Sequence, residues 1–71
     1  MEERVREIIA DILGIDTGGL AVSTDIRSIE SWDSMVQVRI IAELEDVFSC
    51  SIPIERIKSL KKVEDFVNII S

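Results

Sequence analysis

The chain contains no histidine and no tyrosine, and it has one cysteine and one proline. Without histidine there is no imidazole base, no Ser-His or Cys-His nucleophile pair and no His metal ligand. Carboxylates and lysines remain, but a chain of 71 residues offers little concave volume in which to perturb their pKa values. Chemistry by the chain itself is not expected, whereas chemistry on an added group stays open. Cys50 has no partner for an internal disulfide. It reads as a small, partly buried apolar residue in a reducing, cytoplasmic setting. Trp32, Phe48 and Phe66 are the whole aromatic complement, so the core has to be aliphatic.

Positive charge is scarce as well. Eight Lys and Arg stand against 14 Asp and Glu, for a net charge of -6. That excludes nucleic acid, whose phosphates need cations to neutralise them, and an anionic membrane surface. Such a surface suits encounter with basic patches on partner proteins, or serves only to keep the chain soluble. No apolar run is long enough to cross a bilayer, so membrane insertion is not expected. Met1 is followed at once by Glu2, Glu3 and Arg4, unlike a secretory signal. Starting on Met1, the sequence is expected to be a separate, monomeric chain with one domain over residues 1–71.

What is present is helical periodicity. Val5, Ile8, Ile9, Ile12 and Leu13 place one apolar stripe on a first helix from Glu2 to Leu13, stopped by Gly14. Residues 15–33 have no sustained period. Leu20, Val22, Ile26 and Ile29 are expected to pin this long loop to the core, and residues 25–28 to form a short helical turn. A connection of this length in a small domain is usually functional.

A second helix is expected from Ser34 to Phe48. At about 100° per residue, Val38, Ile41, Leu44 and Phe48 share a core face, flanked by Ile40 and Val47. Arg39, Glu43 and Asp46 lie opposite, together with Met35 and Ala42. Pro53 suits a first helical turn, giving a short third helix over Ile54–Ser59 with Ile54 and Ile57 inward. Val63, Phe66, Val67 and Ile70 mark a fourth helix over Leu60–Ile70, capped by Ser59. The class is all-α: a small four-helix bundle with three main helices, a short third helix and a long first loop.

Asp33 and Ser34 are both N-cap residue types, and Ser34 with Gln37 fits a capping box. On local pattern alone Ser34 is either a plain cap or a modification site at a helix start.

Ser31-Trp32-Asp33-Ser34-Met35 resembles the Asp-Ser-Leu attachment motif of acyl carrier proteins, with Met in the Leu place. Val38, Ile40 and Ile41 resemble that family's second-helix apolar residues. Leu44-Glu45-Asp46-Val47-Phe48 resembles its Leu-Glu-Glu-x-Phe run, Ile52-Pro53 its Ile-Pro, and Leu60 and Val63 the residues around its fourth helix. The likeness covers nearly the whole chain, most tightly from Trp32 to Val63.

The resemblance implies a four-helix acyl-carrier-like fold and a non-enzymatic carrier. A phosphopantetheinyl transferase would attach 4'-phosphopantetheine to Ser34, with Asp33 serving recognition. The arm's thiol would hold an acyl group as a thioester for acyl-loading and acyl-processing enzymes of fatty-acid or specialised lipid or polyketide biosynthesis. Met35, Arg39, Ala42, Glu43 and Asp46 would meet those partners. No metal ligand set is expected.

The departures from the family pattern bear on cargo. Arg39 stands where the family usually has Glu, and Val36 and Val47 stand where it often has acids. Trp32-Asp33-Ser34 resembles stand-alone carriers of specialised pathways, while Asp33-Ser34-Met35 also resembles the D-alanyl carrier. An aminoacyl carrier of D-alanyl or peptidyl type is the alternative, followed by a helical interaction domain that never receives the arm.

Overall fold

The computed structural model describes residues 1–70. Helix α1 spans Glu2–Leu13, α2 Ser34–Phe48 and α3 Val63–Ile70, with a 3-10 helix at Ile54–Ser59 between α2 and α3. This is the expected all-helical arrangement, and no strand is formed among the described residues. Two further 3-10 turns, Thr17–Gly19 and Ile26–Ser28, lie in the long first loop. The second is the turn expected there; the first has no signature beyond its glycines.

α1 packs on both α2 and α3. Val5, Ile9, Ile26, Ile40, Leu44, Val63 and Phe66 are completely or almost completely shielded and form the centre of one aliphatic core. Phe66 is the only aromatic at its centre; Trp32 and Phe48 are half-buried at its edge.

α1 ends as its sequence dictates. Gly14 takes φ 73°, a left-handed conformation open to glycine without a Cβ penalty. Its N–H donates to Asp11 O at 3.2 Å and the Ile15 N–H donates to Ala10 O at 3.0 Å, which is the double bond of a Schellman stop. α2 ends in the same way on a serine: Ser49 has φ 51° and the Cys50 N–H donates to Glu45 O at 3.1 Å.

The long loop is fastened at both ends and in the middle. Ser31 Oγ donates to Leu13 O at 2.8 Å and Arg6 Nη1 donates to Leu20 O at 3.0 Å. The Ile26 N–H donates to Lys61 O, the Val63 N–H to Thr24 O and the Glu64 N–H to Val22 O. Leu20 and Ile26 are buried and Val22 and Ile29 half-buried, the pinning expected of them.

Those backbone bonds correct the fourth helix. It begins at Val63 rather than Leu60, because Lys61 and Lys62 pair with the Asp25 segment in an antiparallel bridge. Ser59 does not cap it; its hydroxyl donates to Arg56 O at 2.7 Å. Asp65 takes the role instead, reaching back from the first turn to accept from the Lys62 N–H at 2.9 Å and the Lys61 N–H at 3.0 Å, one half of a capping box.

The hydrogen bond from Lys62 holds the Asp65 carboxyl below the usual aspartate value. The Lys61 bond and the two lysine charges add to it, and partial desolvation opposes them. A group whose folded pKa is depressed contributes stability that is present above its unfolded pKa and lost as pH falls through the folded one. Asp65→Ala is therefore expected to lower stability by about 1 kcal/mol at neutral pH. The difference from wild type should vanish as pH drops below the ordinary aspartate range, which thermal melts at stepped pH would check. A difference constant down to strong acid would contradict the assignment.

Two residues assigned inward are corrected. Ile54 is 79% exposed, because the 3-10 helix lies along the surface and only Ile57 is half-buried. Val38 is 59% exposed. The core face of α2 is centred on Gln37, Ile40, Ile41 and Leu44. With Gln37 counted, Val38 falls roughly 110° from that centre at 100° per residue. Phe48 lies on that face as expected, half-buried against the core at the last residue of the helix.

Candidate functional site

Asp33 sits at the junction of the long loop and α2 in an extended conformation, and its Oδ1 accepts from the Val36 N–H at 2.8 Å. It is the N-cap. The Gln37 N–H donates to Asp33 O at 3.0 Å, the first bond of the helix proper. The Ser34–Gln37 capping box expected from the spacing does not form. Asp33, extended and one residue earlier, occupies the cap, and the Gln37 amide is engaged elsewhere: its Nε2 donates to Leu60 O at 3.2 Å and its Oε1 accepts from Trp32 Nε1 at 2.9 Å.

Ser34 is thereby left free. It is exposed, it is the first residue of a 15-residue helix, and its hydroxyl makes no hydrogen bond among the described residues, whereas those of Ser28, Ser31 and Ser59 are all engaged. The first N–H groups of a helix have no intrahelical partner. Asp33 satisfies that of Val36, so those of Ser34 and Met35 stay at the positive end of the helix dipole. An oxygen that is accessible, uncommitted and next to N–H donors suits esterification by a phosphate.

The other expected residues sort cleanly. Met35 is 71% exposed, and Arg39, Ala42, Glu43 and Asp46 are exposed. Arg39, Ala42, Glu43 and Asp46 line one side of a cleft of about 490 Å³ between α1 and α2, with Asp11 and Ile12 opposite. Met35 lies nearer the Ser34 end. Glu45, grouped by sequence with the acids of this helix, is not an open surface acid: its Oε2 accepts from the Ile52 N–H at 2.7 Å and ties the post-helix segment down. No cluster of acids, cysteine and histidine able to hold a metal exists among the described residues.

Sequence reasoning missed a second cavity, of about 270 Å³, that opens directly beside Ser34. Arg27, Trp32, Val38, Ile57 and Lys58 surround it and Gln37 is its one buried wall residue. Arg27 lies over the Trp32 ring, its guanidinium carbon 5.6 Å from the ring centroid, a cation–π distance. The exposure of Val38 was the available signal, hidden by its assignment to the core.

Residues 3–70 match the family described as the phosphopantetheine attachment site. The chain belongs to that family. It is also similar to an acyl carrier protein of Rubrobacter xylanophilus, 32% identical over 68 residues that span 96% of this chain and 84% of that protein. It is thus a carrier protein with a site for covalently attached 4'-phosphopantetheine. Ser34 fits the group by the free, exposed hydroxyl and the adjacent helix N–H donors described above. As a carrier, the chain interacts in general with a transferase that loads it and with enzymes that process its cargo. No described helix is long and apolar enough to cross a membrane.

Proposed function

We propose that Ser34 bears the arm and that the chain, itself no enzyme, is a cytoplasmic, monomeric carrier of acyl groups for fatty-acid or specialised lipid or polyketide biosynthesis. The observation that carries the reading is the uncommitted Ser34 hydroxyl at the α2 N-terminus. The bound group supplies a thiol that holds cargo as a thioester. The chain's part is to fix the attachment oxygen in place and to present a readable face. Asp33 supports that by capping the first turn of α2 through the Val36 N–H, which leaves the Ser34 hydroxyl uncommitted. Mass spectrometry of the protein purified from its own cells tests the reading. An acyl group on a Ser34-linked arm is expected; an aminoacyl group would move the function to the alternative carrier class, and a chain never modified would leave only an interaction domain.

Met35, Arg39, Ala42, Glu43 and Asp46 are proposed as the partner-reading face. They are open to solvent and contribute nothing to the core. Arg39 is a cation among Asp11, Glu43 and Asp46, so a basic partner patch would meet repulsion there and attraction around it. Exposed pairs are worth about 0.2–1 kcal/mol, and like charges pressed together in an interface cost more. Arg39→Glu is expected to leave the melting temperature nearly unchanged. It should raise turnover by general fatty-acid enzymes roughly two- to fivefold and lower turnover by the carrier's own partner by a similar factor. Equal rates for both variants with both enzymes would reduce Arg39 to a solvated surface charge.

A further inference from the structure

The 3-10 helix over Ile54–Ser59 is held to the rest of the chain mainly at its two ends. None of its residues is buried, and only Ile57 leans on the core. Its hydrogen bonds stay local: the Arg56 N–H donates to Pro53 O at 3.0 Å, the Leu60 N–H to Ile57 O at 3.2 Å and Ser59 Oγ to Arg56 O at 2.7 Å. The buried residues that bound it are Ile52 and Leu60, and a side chain of α2 ties each of them. The Ile52 N–H donates to Glu45 Oε2 at 2.7 Å, and Gln37 Nε2 donates to Leu60 O at 3.2 Å. A hydrogen bond to a charged group is worth about twice a neutral one, so the Gln37 tie is the weaker of the two.

That weaker tie is shared. Gln37 is the one glutamine of the chain and the one buried polar side chain among the described residues. Its Oε1 accepts from Trp32 Nε1 at 2.9 Å while its Nε2 serves Leu60 O. The partners dictate this orientation, because an indole N–H only donates and a carbonyl only accepts. A carboxylate could serve only Trp32 and a cation only Leu60; an amide serves both. Trp32 stands two residues before Ser34, and Ile57 of the 3-10 helix lines the same cavity as Ser34 and Trp32. The two flanks of Ser34 therefore meet on one buried amide. Loss of either bond leaves a buried polar group without its partner, which weakens the hold on the other.

We propose that Gln37 is a latch and a positioning residue for the attachment site: its amide couples the Trp32 flank of Ser34 to the 3-10 helix flank, so that the two loosen and close together. A transferase then meets both flanks in one fixed arrangement. This positioning role rests on Ser34 bearing the arm; the latch itself does not.

Amide exchange reads the latch, because a bonded N–H exchanges in proportion to how often its segment opens. Gln37→Met keeps the length and the apolar stem of the side chain and removes both bonds. Exchange of the Arg56 and Leu60 N–H groups is expected to speed up roughly two- to twelvefold, the range one neutral hydrogen bond supplies. Any change in global opening, read at the Ile9 and Leu44 N–H groups, is subtracted. Trp32→Phe removes one N–H and no bond to Leu60, yet it should accelerate the same two groups, because Gln37 Oε1 is left buried without a donor. The double variant should be no faster than Gln37→Met alone, the non-additivity of two residues that act through one group. In loading by a transferase and coenzyme A, Gln37→Met should raise KM by no more than the exchange factor and leave kcat unchanged, since only the fraction of chain in the docking arrangement falls.

Unchanged exchange in Gln37→Met overturns the latch. Unchanged exchange in Trp32→Phe, or effects that simply add, overturns the coupling. A lowered kcat at constant KM, or no change in either, overturns the positioning role. Should Gln37→Met fail to fold, Trp32→Phe decides by exchange alone. A chain that takes no arm at all overturns the attachment at Ser34, and the exchange rates still decide the latch.

Discussion

Ser34→Ala is expected to accept no phosphopantetheine from a transferase and coenzyme A, a complete loss rather than a reduced rate. The Ser34 oxygen is the only atom that combines exposure, an uncommitted hydroxyl and a position on the first turn of α2. The fold should survive. The cap of α2 is Asp33, through its bond to the Val36 N–H, so removing the Ser34 hydroxyl removes no capping bond. Helix propensity even favours Ala slightly, and the melting temperature should stay within a few degrees. Asp33→Ala should show the reverse balance, losing about 0.5–2 kcal/mol with the cap while keeping the attachment oxygen. Circular dichroism beside intact-mass measurement separates the two. A Ser34→Ala protein that still gains the arm would place the attachment elsewhere.

Phe66→Ala is expected to be the most damaging single substitution for the fold. The ring is 0% exposed and lies in the core where α3 packs on α1. Truncating a buried Phe to Ala costs about 3–5 kcal/mol in lost transfer energy and residual cavity. A domain of this size has a core worth only about 3–5 kcal/mol net. The variant should therefore be largely unfolded at 25 °C, and partly rescued by Phe66→Leu. Trp32→Ala, by contrast, removes a half-buried ring at the core's edge and should leave a folded protein. Urea titration reads all three; a Phe66→Ala midpoint close to that of wild type would mean that the core does not centre on this ring.

The helices were legible because their signals were local. α1 follows from five apolar residues at helical spacing and a glycine at the one position that needs positive φ. α2 starts where Asp33 and Ser34 said it would. What was not legible came from long-range contacts. Gln37 occupies the middle of a core face because Leu60 O and Trp32 Nε1 satisfy its amide. Reading it as the capping partner of Ser34 left it out of the core face, and Val38 was placed inside instead. The start of α3 moved to Val63 because Lys61 and Lys62 are held by backbone bonds to a loop more than 30 residues earlier in the chain. Glu45, named in the sequence only as part of the Leu44–Phe48 run, is tied by the Ile52 N–H from beyond the helix, a bond no local pattern announces. The exposed stripe of α2 was read correctly, since residues on the far side of a helix need no partner to define them. The cavity beside Ser34 could not be read at all: it joins residues from the first loop, α2 and the 3-10 helix, and no one segment carries its pattern.

The central claim is that one oxygen, Ser34 Oγ, is where the arm is attached. It is tested most directly by incubating the unaltered chain with a phosphopantetheinyl transferase and coenzyme A, then measuring intact mass and mapping the modified peptide by fragmentation. One phosphopantetheine per chain, on the peptide containing Asp33-Ser34-Met35 and localised to Ser34, is the result this structure predicts. A chain that stays at its unmodified mass, or one that carries the arm on any other residue, would contradict it.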